Sequence, residues 1–558
     1  KREIEMKVYS AWSGHDCSFV VLNNGHPEVH AEYERYIREK EPAGDGVQFM
    51  FDELGDCDDL KYFVTCRSLN KLLAHRESFQ RLNNIIEKNN GQFYVIGHHQ
   101  SHAANAFYSS NFDKALVVTI DGGGFDPIAD VEYQTLVDYN DRNMTTTFTV
   151  WEGDGNKLNK GHIFPIEQIN IGGVWTRCTR YIFKLQSGWP RGHQAGTVMA
   201  MAAIGNPDRF RADFYQMLKH DSMRVSFKPP GQPGGAYTGN DPKHPYLNKW
   251  AELAETDDQT RYDLAAGLQS ATEQYMKELF TTILAQYPQH DKLCVAGGVT
   301  LNSVVMGKML NWFDGRLSEI YATPTPHDGG MTIGAAQYVW HHILHNPRIQ
   351  WEDNFTPYLG FTYDNVTDTL QKYDNVAYDK TTDEEVLDLL DEQNIIAVFG
   401  GGSESGRRAL GNRSILADPR SPDMKDLINE KVKHRQWFRP FAPSILREEV
   451  SNWFEKDIDS PYMSFVVKFK QEMKDKVPAV VHFDDTARLQ TVTENDNKWY
   501  YNFIKQWHEL SGVPIVLNTS FNDREPICET AEHALNCFLR TNIDYLYFYD
   551  EGILVRKK

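Results

Sequence analysis

The sequence predicts a mixed α/β protein of two domains, and three observations lead there. At 558 residues with 41% hydrophobic content, the chain outgrows a single core and carries enough apolar material for more than one. Its N-terminal part repeats one device: a short apolar run, a polar glycine-bearing turn, then a helical pattern. That device argues for mixed sheets with helices packed on them and ligand groups at the turn tips. The pattern lapses over 341–391, which is polar and weakly periodic, and a buried run resumes at Ile395-Ile396-Ala397-Val398-Phe399. The expected division is a first domain over 1–345, a linker and entry segment over 346–385, and a second domain over 386–558.

Composition narrows the partners. A formal net charge of -19 argues against a nucleic-acid backbone as ligand, since such binders show a basic footprint, but leaves small anions open. The seven cysteines are scattered, with no C-x-x-C pair, as suits reduced thiols and a cytoplasmic protein. No apolar run approaches a membrane span and the N-terminus shows no signal-peptide core, so no membrane partner is expected.

In chain order, 7–12 reads as a strand, 13–18 as a polar turn holding His15, and 19–22 as a second strand closed by Asn23-Asn24-Gly25. The acidic stretch 41–59 reads as an exposed loop. The run Phe93-Tyr94-Val95-Ile96 reads as a buried strand leading into Gly97-His98-His99-Gln100-Ser101-His102 and a helix. His98 and His102 are four apart and share a helix face, which makes a two-imidazole grip for a metal. Alone, such a pair is more often a cap or a satisfied core. The candidate third ligand is Asp328, in Pro326-His327-Asp328-Gly329-Gly330.

Residues 115–120 read as a strand ending in the turn Asp121-Gly122-Gly123-Gly124, whose glycines would let backbone N–H groups approach a phosphate or metal. Gly172-Gly173 and Gly188-Trp189-Pro190 read as loops, 199–204 as a small-residue helix, 228–235 as a surface loop, and 262–284 as an amphipathic helix. The strand 293–296, the pair Gly297-Gly298 and the helix opening at Val299-Thr300-Leu301-Asn302 place helix N-terminal donors where an anion or ribose could sit. In the second domain, the run 400–416 gathers glycines with Arg407, Arg408 and Arg413 and reads as an oxyanion loop. Lys431, Lys433, Arg435 and Arg439 follow among aromatics and prolines, and Arg488 adds another cation. An acidic chain that concentrates cations here is expected to neutralise a polyphosphate. A last strand, 514–517, ends in the amide- and hydroxyl-rich tip Asn518-Thr519-Ser520-Phe521-Asn522.

The runs Arg408-Ala409-Leu410-Gly411-Asn412-Arg413-Ser414-Ile415-Leu416, Trp437-Phe438-Arg439-Pro440-Phe441-Ala442-Pro443 and Leu517-Asn518-Thr519-Ser520-Phe521-Asn522 resemble the NodU/CmcH-type O-carbamoyltransferase family. So do Gly14-His15-Asp16, His98-His99-Gln100-Ser101-His102, Ala296-Gly297-Gly298-Val299 and Asp328, in the same order. The resemblance implies an actin/Hsp70-like (ASKHA) N-terminal domain and a YrdC-like C-terminal domain. It implies carbamoyl-adenylate formation from carbamoyl phosphate and ATP, with Mg²⁺, in the second domain. Transfer to the hydroxyl of a small acceptor (a sugar, natural product or nucleotide) would follow at an Fe²⁺-type site in the first. By the resemblance His98, His102 and Asp328 are metal ligands. Asp121, Gly122, Gly297, Gly298 and Asn302 form nucleotide turns, and His15 lies near the reacting group. Arg408, Lys433, Arg439, Arg488, Asn518 and Ser520 form the carbamoyl phosphate and ATP pocket, with Arg408, Lys433 and Arg488 catalytic. An ATPase or kinase on the actin-like scaffold is the alternative, and a homodimer is allowed. Three places depart from the family pattern: Ala195-Gly196-Thr197 stands for Glu-Gly-Lys, Phe125 for an acidic residue, and Ser405-Gly406-Arg407-Arg408 for Phe-Gly-Pro-Arg.

Overall fold

Strand order in the N-terminal part falls into two sheets with one shared scheme. The structure, a computed structural model, describes residues 5–185, 194–226 and 245–558. The first sheet holds β1 (Lys7–Trp12), β2 (Ser18–Asn23), β3 (His26–Glu32), β4 (Tyr62–Cys66) and β5 (Gln92–Ile96) in the order β3-β2-β1-β4-β5. Its first three strands pair antiparallel, and β1, β4 and β5 run parallel. The second sheet holds β6 (Lys114–Pro127), β8 (Asn143–Asp154), β9 (Lys157–Pro165), β10 (Lys292–Ala296) and β11 (Glu319–Ala322) in the order β9-β8-β6-β10-β11. Here too the first three strands of the chain are antiparallel and the last two are parallel to the first. The short β7 (Gln134–Thr135) only edges β5. This duplicated sheet is the actin/Hsp70 topology, repeated in structure without a sequence repeat of fixed period.

The helix after the fifth strand is equivalent in the two halves: His98–Ser109 in one and, after the turn Asp328–Gly330, Met331–Tyr338 in the other. All residues of both helices are buried, as expected of elements packed on every side. They cross at Gly334, where a Cβ would come within 1.9 Å of the Ser101 carbonyl oxygen. Asn105 ties the crossing to the second sheet by donating to the Thr325 carbonyl at 3.0 Å and accepting from the Thr323 hydroxyl at 3.0 Å.

The described residues divide into two compact units, one reaching Trp351 and the other running from Glu352 to Lys558 with the short stretch Met306–Lys308. The second unit is built on one nine-stranded mixed sheet. Its strands are β12 (Val376–Lys380), β13 (Ile396–Phe399), β14 (Arg413–Ala417), β15 (Ala442–Leu446), β16 (Phe465–Lys468), β17 (Thr486–Val492), β18 (Ile515–Ser520), β19 (Tyr545–Phe548) and β20 (Ile553–Lys557). They lie in the order β12-β20-β19-β13-β14-β18-β15-β17-β16, with only β13/β19 and β15/β17 parallel. Both units are therefore mixed α/β.

Several local expectations change. Residues 46–54, inside the supposed exposed loop, form the helix Gly46–Leu54, capped by Asp45, which accepts from the N–H groups of Val47 and Gln48 at 3.1 Å. Val47, Phe49, Met50 and Phe51 are buried, an apolar face that the surrounding acidic residues obscure. The sequence 121–124 is no chain-reversing turn: β6 continues through it to Pro127, and the pairing register with β8 shifts between Ile120 and Gly124. Gly172-Gly173 lies in the helix Ile171–Arg177, where a Cβ on Gly172 would stand 2.7 Å from Gly122. Within the linker segment, residues form the helix Val366–Leu370 and the strand β12. The readings at 188–190 and 228–235 lie outside the described residues.

Replacing Gly334 by Ala should lower stability by about 1–3 kcal/mol, the usual cost of overpacking a filled contact. The measurement is the denaturation midpoint, and an unchanged midpoint would show that the two helices have room to separate.

Candidate metal centre and arginine pocket

The turn of the chain into the first buried helix sets the metal candidates. Gly97 precedes His98–Ser109, and its N–H donates to Gln100 Oε1 at 3.0 Å. Asp126 fastens the first turn from β6: it accepts the backbone N–H of His99 at 3.1 Å and lies 2.9 Å from His99 Nδ1. The Asp126 carboxyl is disfavoured as an anion by burial, yet the bond to His99 outweighs this and holds it at about 2. Gly124 leaves room for the His98 ring, since a Cβ there would lie 2.1 Å from ring carbons.

His98, His102, Asp121 and Asp328 are all buried, and one ligand atom from each lies within 4.8 Å of the others. His102 Nε2 is 3.2 Å from His98 Nε2 and 3.3 Å from Asp328 Oδ1. His98 Nε2 is 3.3 Å from Asp121 Oδ2 and 3.6 Å from Asp328 Oδ1. The three expected ligands thus meet, and Asp121, assigned to a nucleotide turn, joins them. Its other oxygen accepts the N–H of Gly298 at 2.8 Å, which brings the glycine turn of the second half to the same place. Gly297 has φ +95°, and a Cβ there would strike the Ile120 carbonyl at 2.2 Å, so the turn requires glycine. Asn302 instead caps the helix Ser303–Trp312, accepting from the Val305 N–H at 3.2 Å and exchanging amide hydrogen bonds with Gln269.

The electrostatics of the cluster follow from burying two carboxylates beside two imidazoles. Burial opposes ionisation of Asp121, but the hydrogen bond with His98 and the nearby ring charges hold it well below the usual carboxylate range. Asp328 is lowered the same way, by His98 and His15 acting against burial. Burial disfavours charge on His98, yet Asp328 and Asp121 raise its pKa, while burial lowers that of His102. Two imidazole nitrogens and two carboxylate oxygens converging in a buried cluster fit a divalent transition-metal ion.

The Asp328 turn is held from outside. The Gly329 carbonyl accepts from Ser18 Oγ at 2.8 Å and lies 2.8 Å from His30 Nε2; His327 Nε2 lies 2.9 Å from Glu32 Oε1. His15, 49% exposed, sits at the mouth, with Nε2 3.2 Å from Asp328 Oδ2 and Nδ1 3.1 Å from Asp16 Oδ2. Burial works against its charge, but Asp328 and Asp16 raise its pKa.

In the second unit the expected cations separate into two kinds. Arg413 is fully buried: its guanidinium donates to the carbonyls of Gly400 at 2.7 Å and Asn412 at 2.9 Å, and lies 3.6 Å from the Phe399 ring centre. It holds the glycine loop and does not face an anion, which corrects its reading as an oxyanion ligand. Lys433 Nζ is taken up by the Asn522 carbonyl and Oδ1, both at 2.8 Å, and by Ser520 oxygens, so it braces the tip of β18. Ser520 Oγ in turn donates to Asn522 Oδ1 at 2.7 Å. Asn518 is buried and donates to Gln490 Oε1 at 2.9 Å and the Ala409 carbonyl at 3.1 Å, fixing the residue beside Arg408. Glu404, unforeseen from sequence, accepts the N–H groups of Leu410, Asn412 and Arg413 and shapes the same loop.

Arg408, Arg435, Arg439 and Arg488 are half-buried and feel one another's charge, and Arg435 Nε donates to Asn429 Oδ1 at 2.8 Å. Burial lowers Arg408 well below the usual arginine range, and Arg488, Arg407 and Arg439 depress it further. Arg435 is lowered by burial and by Arg439; Arg488, pushed down to about 10 by burial, feels Arg439 and Arg435. Among the described residues, no carboxylate is among the charges that shift Arg408, Arg435 or Arg488. Such a pocket is primed for an anion. Arg435 belonged to the basic run in the sequence but was not singled out there.

Comparison with known proteins agrees with this geometry. Residues 16–337 match the family described as Carbamoyltransferase N-terminus, and 387–557 the one described as Carbamoyltransferase C-terminus. Nodulation protein NolO of Bradyrhizobium diazoefficiens is 33% identical over 83% of this chain and 79% of its own. Nodulation protein NolNO of Sinorhizobium fredii is 29% identical over 95% and 78%. An uncharacterised protein of Synechocystis is 33% identical over 80% and 74%. With both halves matched across so much of its length, the chain belongs to the carbamoyltransferase family and is a carbamoyl-transferring enzyme.

Proposed function

We propose that this carbamoyltransferase is ATP-dependent and works in two stages, one in each of the domains 1–345 and 386–558. In the second, the carbamoyl group of carbamoyl phosphate is adenylated: inorganic phosphate is released with uptake of water, the carbamate oxygen attacks the α-phosphorus of Mg²⁺-bound ATP, and pyrophosphate leaves. In the first, the hydroxyl of a small acceptor attacks the carbamoyl carbon and AMP leaves. The observation that carries this reading is the crowding of Arg408, Arg435, Arg439 and Arg488, a cost that a polyanion offsets, in an acidic chain. Trp437 and Phe483 form an exposed ring pair, 5.6 Å apart and edge to face, on the segments that bear Arg435, Arg439 and Arg488. They offer a surface for a purine.

At the transfer centre His98, His102, Asp328 and Asp121 would hold a divalent ion, and Fe²⁺ suits the imidazole–carboxylate set. Bound there, the ion would supply Lewis-acid polarisation of the carbamoyl carbonyl. His15, beside Asp328, is the residue to take the acceptor's proton. While Asp328 raises its pKa it favours the imidazolium; engagement of that carboxylate by a cation would remove one pull and leave His15 closer to a neutral base. The burial around the cluster excludes water that would otherwise compete with the acceptor hydroxyl. Seven free, buried cysteines suit a reducing cytoplasm, and no helix among the described residues is long and apolar enough to cross a membrane.

Incubation with ATP and carbamoyl phosphate should release pyrophosphate only when carbamoyl phosphate is present; ADP without it would favour a kinase or ATPase. Arg488→Ala should lower that release by about ten- to a hundredfold, the worth of a charge-assisted hydrogen bond to phosphate. An unaltered rate would remove the arginine pocket from the reaction. His102→Ala should strip most of the bound metal, read by elemental analysis, and leave carbamoyl-phosphate-dependent pyrophosphate release intact. Parallel loss of both would mean the metal serves the first stage or the fold.

A further inference from the structure

Lys71 lies on the helix Leu69–Leu73, which follows β4. Its half-buried ammonium rests 4.4 Å from the centre of the Trp12 ring. Trp12 is buried at the end of β1, and its indole N–H donates to the His15 carbonyl at 3.0 Å. Gly14 lies so close that a Cβ would stand 2.4 Å from the same ring. One indole therefore carries on it both the turn that presents His15 and the Lys71 ammonium.

The surroundings of that ammonium are those of a cation awaiting an anion. Among the described residues, no hydrogen bond and no carboxylate at ion-pair distance engages the Lys71 ammonium. Its charge is felt at His15, and Asp328 and Cys66 act on it in return. Burial pushes its pKa below the usual lysine range, and Asp328 pulls it part of the way back. Two arginines of the same unit are occupied. Arg67 donates to the Asn140 carbonyl at 2.6 Å and Asn143 Oδ1 at 3.0 Å, and Arg35 lies against Glu32. Face-on contact with an aromatic ring is a weak restraint compared with a charge-assisted hydrogen bond, so the ammonium can leave the ring for a stronger partner.

The chemistry of this centre has need of such a group. Asp121 and Asp328 bring negative charge to the metal cluster itself, and Asp16 adds more beside His15. A carbamoyl donor carrying a phosphate must bring further negative charge into that field. On transfer, the bond between acceptor oxygen and carbamoyl carbon forms and the bond from that carbon to the phosphate oxygen breaks. The electron pair stays on the phosphate, whose charge rises by one, and the acceptor's proton passes to a base or to water. A cation at the phosphate is therefore worth more in the transition state than in the bound donor.

We propose that Lys71 is a further substrate-contacting residue of the transfer centre, binding the phosphate of the carbamoyl donor and stabilising it as the leaving group. The assignment rests on the two-stage reading above, in which an adenylated donor reaches this centre.

AMP, the leaving group itself, is the probe. It is titrated calorimetrically into metal-loaded, full-length protein carrying Arg408→Ala and Arg488→Ala, which weaken the other pocket. Adding Lys71→Met should weaken AMP binding by about tenfold or more, as for loss of a charged hydrogen bond to phosphate. Adenosine binding and metal content should be unchanged, and Lys71→Arg should recover most of the affinity. AMP bound equally well by the Lys71→Met protein overturns the assignment alone. Absence of AMP binding with Lys71 in place overturns the assignment together with the idea that the donor visits this centre. Loss of metal along with AMP affinity in Lys71→Met marks a structural role and also overturns it.

Discussion

The contact between Asp328 and the two imidazoles of His98 and His102 is the constraint from which the first unit is best understood. The three groups come from equivalent places in two halves of one duplicated sheet: the start of the helix that follows each fifth strand. Asp328 Oδ1 lies 3.6 and 3.3 Å from the two rings, in the turn that leads into the helix packed against theirs at Gly334. The glycines at 124, 297 and 334 have a common purpose. Each removes a Cβ where a ring, a carbonyl or a neighbouring helix must come closer than an ordinary residue allows. The fold and the candidate metal centre are thus specified by the same close approaches.

Both sites gather buried charge, the carboxylates of the first among imidazoles and the arginines of the second beside one another. Asp121 and Asp328 disfavour each other, as do Arg408 and Arg488. Burying like charges costs free energy that a protein retains only where something else returns it. A bound cation in one unit and a bound polyphosphate in the other would do so, and each would stabilise the folded unit in proportion to its occupancy. On this view the two units are less stable empty than occupied, and substrate or metal contributes to their cohesion as well as to their chemistry.

Much of this was legible in the sequence, because the signals were local. The strands, the H-x-x-x-H spacing and the glycine turns are short-range patterns, and the motif order identified the family. The duplication was not legible: the strand–turn–helix device recurs, but strand order and pairing direction, where the duplication lies, leave no sequence repeat of fixed period. Nor was the helix Gly46–Leu54, since its buried face of Val47, Phe49, Met50 and Phe51 sits within a stretch dominated by acidic residues. Asp121 was visible as a strand-end carboxylate, but its place among the metal candidates depends on a contact with His98, 23 positions away. Lys71 offered no motif at all, and only its position on the Trp12 ring distinguishes it.

The second unit shows why counting arginines was a poor guide. Arg413 and Arg408 stand in one loop and look alike in sequence. Arg413 is surrounded by carbonyl oxygens and lies on Phe399, so its charge is dispersed over neutral partners and its geometry fixed. Lys433 is likewise absorbed, by Ser520 and Asn522. Arg408 is pressed against other cations instead. What separates a structural cation from one that receives substrate is the identity of its neighbours: neutral oxygens satisfy a charge in place, whereas like charges leave it to be satisfied from outside. Asn518 and Glu404 then acquire a clear purpose, since by binding the backbone at Ala409, Leu410 and Asn412 they hold Arg408 where repulsion would otherwise drive it out.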